Sequence, residues 1–225
     1  MAGSEQTIEQ GGVRVSGYLA EPPGGAARGG VVVLQEWWGL NDDIRSIADR
    51  FAAEGYVAFA PDLYHGTLAN EPAEAQKLAM SLEQDVAARE IDAVIGWLKS
   101  ARGARKVGCI GFCMGGGLVL STAMRPTAQV DAGHAFYSGN IPTADQAAAI
   151  HIPVMGSYGA LDDYIPQEKV IALRDALQAG GVPNDFRIYE GAGHSFFNHG
   201  AAYHEPSSAD AWQRTLRWFG THLAS

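Results

Sequence analysis

The sequence predicts a single α/β domain spanning residues 1–225, with a mostly parallel twisted sheet, helices on both faces and an N-terminal β-hairpin. Three observations predict it. Short β-prone apolar runs alternate with amphipathic helical stretches along the chain, with no break in composition. Runs such as residues 31–35 are apolar almost throughout, as strands covered on both faces are. One strand–helix junction, at residues 107–124, carries glycines spaced for a sharp turn.

The elements follow in order. Residues 7–20 alternate around Gly11-Gly12 and read as a hairpin. Residues 21–30 are a Pro/Gly/Ala-rich loop, and residues 31–35 a buried strand. Residues 42–54 carry Ile44, Ile47, Ala48 and Phe51 at helical spacing, and Gly55 stops that helix. A short strand at 56–60 ends at Pro61-Asp62. Residues 72–101 predict two helices or one broken helix, with Leu78, Leu82, Val86, Ile91, Val94, Ile95 and Leu98 on the buried face. A strand at 107–112 and a helix at 114–124 come next, then strands within 128–137 and 152–158. A helix at 166–179 has Pro in its first turn, and a last strand (185–189) and a last helix (207–222) complete the chain.

Composition narrows the function. A chain of 225 residues that is 47% hydrophobic and 18% charged has ample material for one large core. Its net charge of −9 argues against nucleic acid or an anionic membrane as partner, since either wants a basic stripe. Two cysteines cannot staple a chain of this length, and their C-x3-C spacing is neither a zinc knuckle nor a redox C-x-x-C. With no leader-like opening and no apolar run of membrane length, the expected location is cytoplasmic. His194, His199 and His204 are five apart and share no helical or strand face, so no metal site is expected.

The chemistry centres on Gly111-Phe112-Cys113-Met114-Gly115. This G-x-C-x-G has the spacing of the G-x-S-x-G nucleophile elbow, with a thiol in place of the hydroxyl. Side chains flanking such a turn would collide, and glycine removes them. The turn would aim the Met114 amide, at a helix N-terminus that favours negative charge, toward a developing oxyanion. The alternative is a glycine-rich turn with a structural cysteine.

A thiol nucleophile needs a base and a group to orient that base. In elbow proteins these follow in the order nucleophile, acid, histidine, on loops at strand C-termini. Asp162 follows the strand at 152–158, and His194 follows the strand at 185–189, with Gly193 allowing the bend. Alone, Asp162 reads equally as a helix cap and His194 as a solvated loop histidine. Asp163 competes with Asp162, but the G-x-x-D-x-x-x-P frame selects Asp162. Glu36, directly after a buried run, either emerges at the surface or reaches the thiol; the Trp37 amide of that loop would be the second oxyanion donor.

With these elements together, the sequence resembles the dienelactone hydrolase (carboxymethylenebutenolidase) family of the α/β-hydrolase fold. The resemblance rests on Gln35-Glu36-x-x-Gly39, Ala60-Pro61-Asp62-Leu63-Tyr64, Gly111-Phe112-Cys113-Met114-Gly115-Gly116, the Asp162 loop and Gly191-Ala192-Gly193-His194-Ser195-Phe196. It implies a triad of Cys113, Asp162 and His194, with the resting thiol held away from the histidine until Glu36 activates it. It implies an oxyanion hole from the Trp37 and Met114 amides, and a substrate pocket lined by Trp38, Tyr137 and Ser195.

The chain departs from the family at the two arginines with which dienelactone-cleaving members bind a substrate carboxylate. Asp62-Leu63-Tyr64 is followed by His65-Gly66, and the position four past His194 is Asn198. Losing two charge-assisted bonds weakens an anionic substrate, so Asn198 is expected to meet a neutral one. The expected activity is cofactor-free hydrolysis of a small lactone or ester through an acyl-cysteine, by a monomer or weak homodimer. A carboxylesterase or thioesterase with neutral acyl substrates is the enzymatic alternative; a thiol redox sensor or a binding protein using the same pocket is the other. Cys109 and Cys113, four apart along a strand, would have Cα atoms about 13 Å apart, too far for a disulfide.

Overall fold

The computed structural model describes residues 2–25 and 27–224; Met1, Ser225 and Ala26 of the 21–30 loop lie outside them. Among the described residues eight strands form one mixed, mostly parallel sheet, in the order β1-β2-β4-β3-β5-β6-β7-β8, and seven helices accompany them. The chain divides into two compact units, one running up to Cys109 and resuming at Leu223, the other Ile110–His222. The division falls inside β5 (Val107–Phe112).

In the first unit, β1 (Ser4–Gln10) and β2 (Val13–Ala20) pair antiparallel from Ser4↔Leu19 to Gln10↔Val13. Gly11 and Gly12 have φ of 59° and 79°, the two left-handed positions that a two-residue hairpin turn requires. The hairpin begins three residues earlier than the sequence pattern indicates, because Ser4–Gln6 pair with β2 although their side chains are exposed. Strands β3 (Gly30–Leu34) and β4 (Val57–Pro61) are parallel and buried at every position. Helix α1 (Asp42–Ala53) is capped by Asn41, whose side chain accepts from the Ile44 amide at 3.2 Å, and it buries Ile44, Ile47, Ala48 and Phe51 as expected.

The long helical stretch resolves into α2 (Pro72–Ser81) and α3 (Gln84–Ala101), separated by extended backbone at Leu82 and Glu83. The expected buried face holds only in α3, where Ile91, Val94, Ile95 and Leu98 are buried. Leu78, Leu82 and Val86 are half-buried, because α2 buries Ala75 alone and the break interrupts the stripe.

In the second unit, α4 (Met114–Met124) follows β5 directly and is buried along most of its length. Strands β6 (Ala132–Phe136), β7 (Val154–Gly159) and β8 (Asn184–Tyr189) are parallel, with Gly133↔Val154 and Val154↔Asn184 fixing their register. A short helix α5 (Ala144–Ala147), which the sequence reading does not include, is held by a Thr143/Gln146 capping box. Helices α6 (Gln167–Ala179) and α7 (Glu205–His222) complete the unit. Leu120, Ala135, Ile150, Val154, Leu173 and Leu177 share one core cluster.

A buried polar strut also crosses this core. The Thr215 hydroxyl donates to the Ala211 carbonyl at 2.7 Å, so it accepts from His134 Nδ1–H at 3.0 Å. His134 Nε2 therefore accepts from the Ser157 hydroxyl at 2.9 Å, and the ring is neutral with a fixed tautomer. Burial, seconded by repulsion from Arg214, holds the His134 pKa well below 6.5. A histidine whose folded pKa is lowered takes up its proton more readily in the unfolded chain, so its contribution weakens as pH falls through 6.5. His134→Leu should therefore lower the urea midpoint more at pH 7.5 than at pH 5.5, where the unfolded histidine takes up its proton and wild type loses part of this contribution. An equal loss at both pH values would assign no acid sensitivity to His134.

Candidate active site

The site in the second unit is built on the β5–α4 turn. Strand β5 delivers Cys113 straight into the helix with backbone angles φ 52° and ψ −110°, a conformation rare for a non-glycine residue. Its surroundings hold it there. The Cys113 amide donates to the Phe136 carbonyl at 3.1 Å, and the Cys113 carbonyl accepts from the Gly117 amide at 3.3 Å. A Cβ on Gly111 would collide with the Gly115 carbonyl, so glycine is obligatory before the turn. Gly116 is equally constrained, since a Cβ there would lie 2.7 Å from the Phe136 carbonyl. The sequence places Gly116 in the motif only by resemblance; the close approach of α4 to β6 is the physical reason for it.

The carboxyl ends of β7 and β8 supply the other two side chains. His194 Nδ1 lies 2.8 Å from Asp162 Oδ2, and the second carboxylate oxygen accepts from the Tyr164 amide at 3.0 Å. The Asp162 side chain is 1% exposed and that of His194 23%, so the pair has one wet end, at the imidazole. Asp163 is exposed, and the contact with His194 is made by Asp162. Burial opposes a charge on His194, but hydrogen bonds with Asp162 and Cys113 outweigh it and push its pKa up to about 10. Cys113 is one of the groups that act on His194, so thiol and imidazole are neighbours, where the family resemblance implies a resting thiol held away from the histidine.

The expected substrate-binding residues divide. Ser195 is half-exposed, with φ of 59°. Tyr137 is fully buried: its φ is 33°, its amide is held by the Ser157 carbonyl at 2.9 Å, and its ring packs 5.1 Å from that of His194. It backs the imidazole and lines no open surface. Asn198 is 7% exposed, and neither amide atom reaches solvent or a hydrogen-bond partner among the described residues. The turn that bonds its amide to the Ser195 carbonyl at 3.3 Å folds the side chain inward, so the expected contact with substrate is corrected.

Two residues that the sequence reading passes over stand at this site. Leu161 is 64% exposed and Tyr164 82%, on either side of Asp162 and Asp163. The Tyr164 ring meets that of His194 edge-on at 5.6 Å. Large apolar side chains left in water beside a polar site are the available signal, and it is visible only once burial is known.

The first unit carries the remaining predicted residues. Glu36 is 4% exposed, which removes the reading in which it simply emerges at the surface. Gln35 is fully buried, and its side-chain oxygen accepts from the Leu63 amide at 3.1 Å. Trp37 and Trp38 are half-buried and meet edge-on at 5.3 Å. His65 lies 2.8 Å from the buried Glu90, so its ring is committed to a carboxylate of its own chain.

An eight-stranded, mostly parallel sheet with a strained nucleophile-type turn after β5, an acid after β7 and a histidine after β8 defines the α/β-hydrolase class. The chain belongs to the dienelactone hydrolase family, whose model matches residues 15–223, and it is an ester-bond hydrolase. "Protein usf" of Aquifex pyrophilus is 34% identical, covering 96% of this chain and 97% of its own. The "Putative carboxymethylenebutenolidase" of Aquifex aeolicus (strain VF5) is 33% identical with the same coverage of each chain. The crystal structure described as a "Putative Dienelactone Hydrolase" from Klebsiella pneumoniae subsp. pneumoniae MGH 78578 matches at TM-score 0.86 and 32% identity, covering 96% of this chain and 97% of that one. Among the described residues no helix is long and apolar enough to cross a membrane, and no group of three or more His, Cys, Asp or Glu side chains is arranged to hold a metal ion.

Proposed function

We propose that this hydrolase cleaves small neutral esters or lactones through an acyl-Cys113 thioester. The observation that carries the reading is the His194–Asp162 pair at 2.8 Å with Cys113, on its strained turn, as the imidazole's neighbour. His194 holds the proton of the Cys113–His194 pair as imidazolium while the sulfur attacks the carbonyl carbon. The Met114 amide, and by family resemblance the Trp37 amide, stabilise the tetrahedral oxyanion. The imidazolium then returns the proton to the leaving alcohol as the C–O bond breaks. In the second half, His194 deprotonates a water that attacks the thioester, releasing a carboxylic acid and the free thiol. Asp162 accepts from Nδ1–H throughout, which keeps Nε2 turned to the reacting atoms. Glu36 is assigned, by resemblance, to activating the thiol.

The substrate class follows from what stands where the family has arginines. His65 is engaged by Glu90, and Asn198 is buried. Neither supplies the cation that a substrate carboxylate needs once it is desolvated. The exposed Leu161 and Tyr164 beside His194 favour an apolar acyl or alcohol group instead.

Intact-mass analysis during turnover of a p-nitrophenyl ester tests the reading: one acyl group should accumulate, mapping to Cys113 and not Cys109. In parallel, an anionic lactone and its methyl ester should be compared. The methyl ester is expected to have the higher kcat/KM, and Tyr164→Ala should raise KM for the bulkier substrates more than it lowers kcat. A tenfold preference for the anion would overturn the neutral-substrate reading, and absence of an adduct on Cys113 under rapid quench would overturn the covalent one.

A further inference from the structure

A cleft in the same unit shares no lining residue with the Cys113–His194–Asp162 group, and the chemistry just described makes no use of it. A cavity of about 320 Å³ opens among Asp185 and Arg187 of β8 and Arg214, Arg217, Trp218, Thr221 and His222 of α7. Strand β8 is the terminal strand of the sheet, so this cleft is at its edge. In a chain of net charge −9, three guanidiniums here face a single lining carboxylate.

The three arginines are not equivalent. Arg214 is 4% exposed and fixed as the floor: its Nη2 lies 2.6 Å from Asp185 Oδ1, its Nε donates to Asp185 Oδ2 at 3.2 Å, and its Nη1 donates to the Tyr189 hydroxyl at 2.8 Å. That network consumes both oxygens of Asp185, the one lining group that would repel an anion. Arg187 reaches Asp210 at 2.7 Å but is half-exposed. Arg217 is exposed and has no carboxylate partner among the described residues. It stands near the C-terminal end of α7, at the rim of the cleft. The remaining wall is aromatic: the Trp218 and His222 rings have centroids 4.2 Å apart.

We propose that this cleft binds a small organic carboxylate with a planar apolar body. Counting Asp210, the cleft retains about one surplus positive charge, which matches a monoanion. The guanidinium of Arg217 offers the paired N–H donors that a carboxylate accepts. The Trp218–His222 wall rewards a flat apolar group, which inorganic phosphate lacks. The volume is at the lower end of small-molecule sites, large enough for a single aromatic ring with its carboxylate.

The test uses 15N-labelled full-length protein at low salt, with the Trp218 indole resonance assigned through Trp218→Phe. Benzoate is the probe, with benzamide and inorganic phosphate as comparators. Benzoate should shift the Trp218 resonance saturably, with a Kd of about 1 mM or tighter. Benzamide, isosteric but neutral, should not. Arg217→Glu should abolish the shift and Arg217→Lys should weaken it, while ester turnover stays at the wild-type level in both. No saturable shift with benzoate would overturn the proposal. So would an equal response to benzamide or phosphate, or a benzoate response that survives Arg217→Glu. Because the readout is local to α7, none of these results bears on the role of Cys113.

Discussion

Replacing Cys113 by alanine should abolish ester turnover, by roughly 10⁴-fold or more, while leaving the folded protein intact. The size follows from the division of labour at the site. On the proposed mechanism His194, oriented by Asp162, can still move protons, but without the sulfur nothing carries the acyl group and water must attack the ester directly. The fold should tolerate the change, because the strain at φ 52° comes from the backbone and alanine bears the same strain as cysteine. Thermal denaturation should therefore shift little, which separates loss of chemistry from loss of structure. Cys113→Ser should also be severely impaired, since a hydroxyl gives up its proton far less readily than a thiol. Cys109 is the control: it is fully buried in β5, so Cys109→Ala should keep its activity and lose about 1 kcal/mol of stability to the cavity left behind. Full turnover by Cys113→Ala would dispose of the acyl-cysteine.

How far the sequence foretells such a site depends on whether its signals are local. Strands β3 to β5 are written as unbroken apolar runs, and α1 carries both its cap and its period within 13 residues, so each is legible alone. Cys113, Asp162 and His194 are legible for a related reason: each follows a recognisable strand, and the sheet brings strand ends together whatever lies between. What escaped depends on distant packing. Nothing near Leu78 or Leu82 announces that α2 stands clear of the core. Asn198 is polar and lies in a loop, yet the turn after His194 buries it. His134 sits within a strand, and its partners Ser157 and Thr215 are 23 and 81 residues away. Exposure of Tyr164 and assembly of the Arg217 cleft are likewise tertiary facts.

The second large effect is expected from Asp162→Asn, in rate and in its pH dependence together. The folded His194 pKa, about 10, stands above the ordinary value of 6.5, so its proton is bound more tightly in the folded chain. That contribution to stability is complete below pH 6.5 and is lost as pH rises through about 10. Burial works against this charge, and the bonds with Asp162 and Cys113 overcome it. Asparagine removes the first of these and can turn an N–H toward Nδ1, where the carboxylate accepted. The imidazole then loses both its proton affinity and its tautomer, so Nε2 no longer holds the proton that the leaving alcohol takes up. A drop in kcat of about 10²- to 10⁴-fold is expected, the span attributed to general acid–base catalysis. The wild-type kcat/KM should hold through neutral pH and decline only in the alkaline range, as the imidazolium needed to protonate the leaving group disappears. In Asp162→Asn the residual activity should decline at a lower pH, toward the ordinary histidine range. Stability should respond in the same direction, with the variant losing the advantage that wild type holds in full below pH 6.5 and gives up by about pH 10. Asp163→Asn, an exposed change one residue away, should alter neither profile. If Asp162→Asn lowers kcat yet leaves the alkaline limb where wild type has it, the carboxylate positions the loop and does not set the charge of His194.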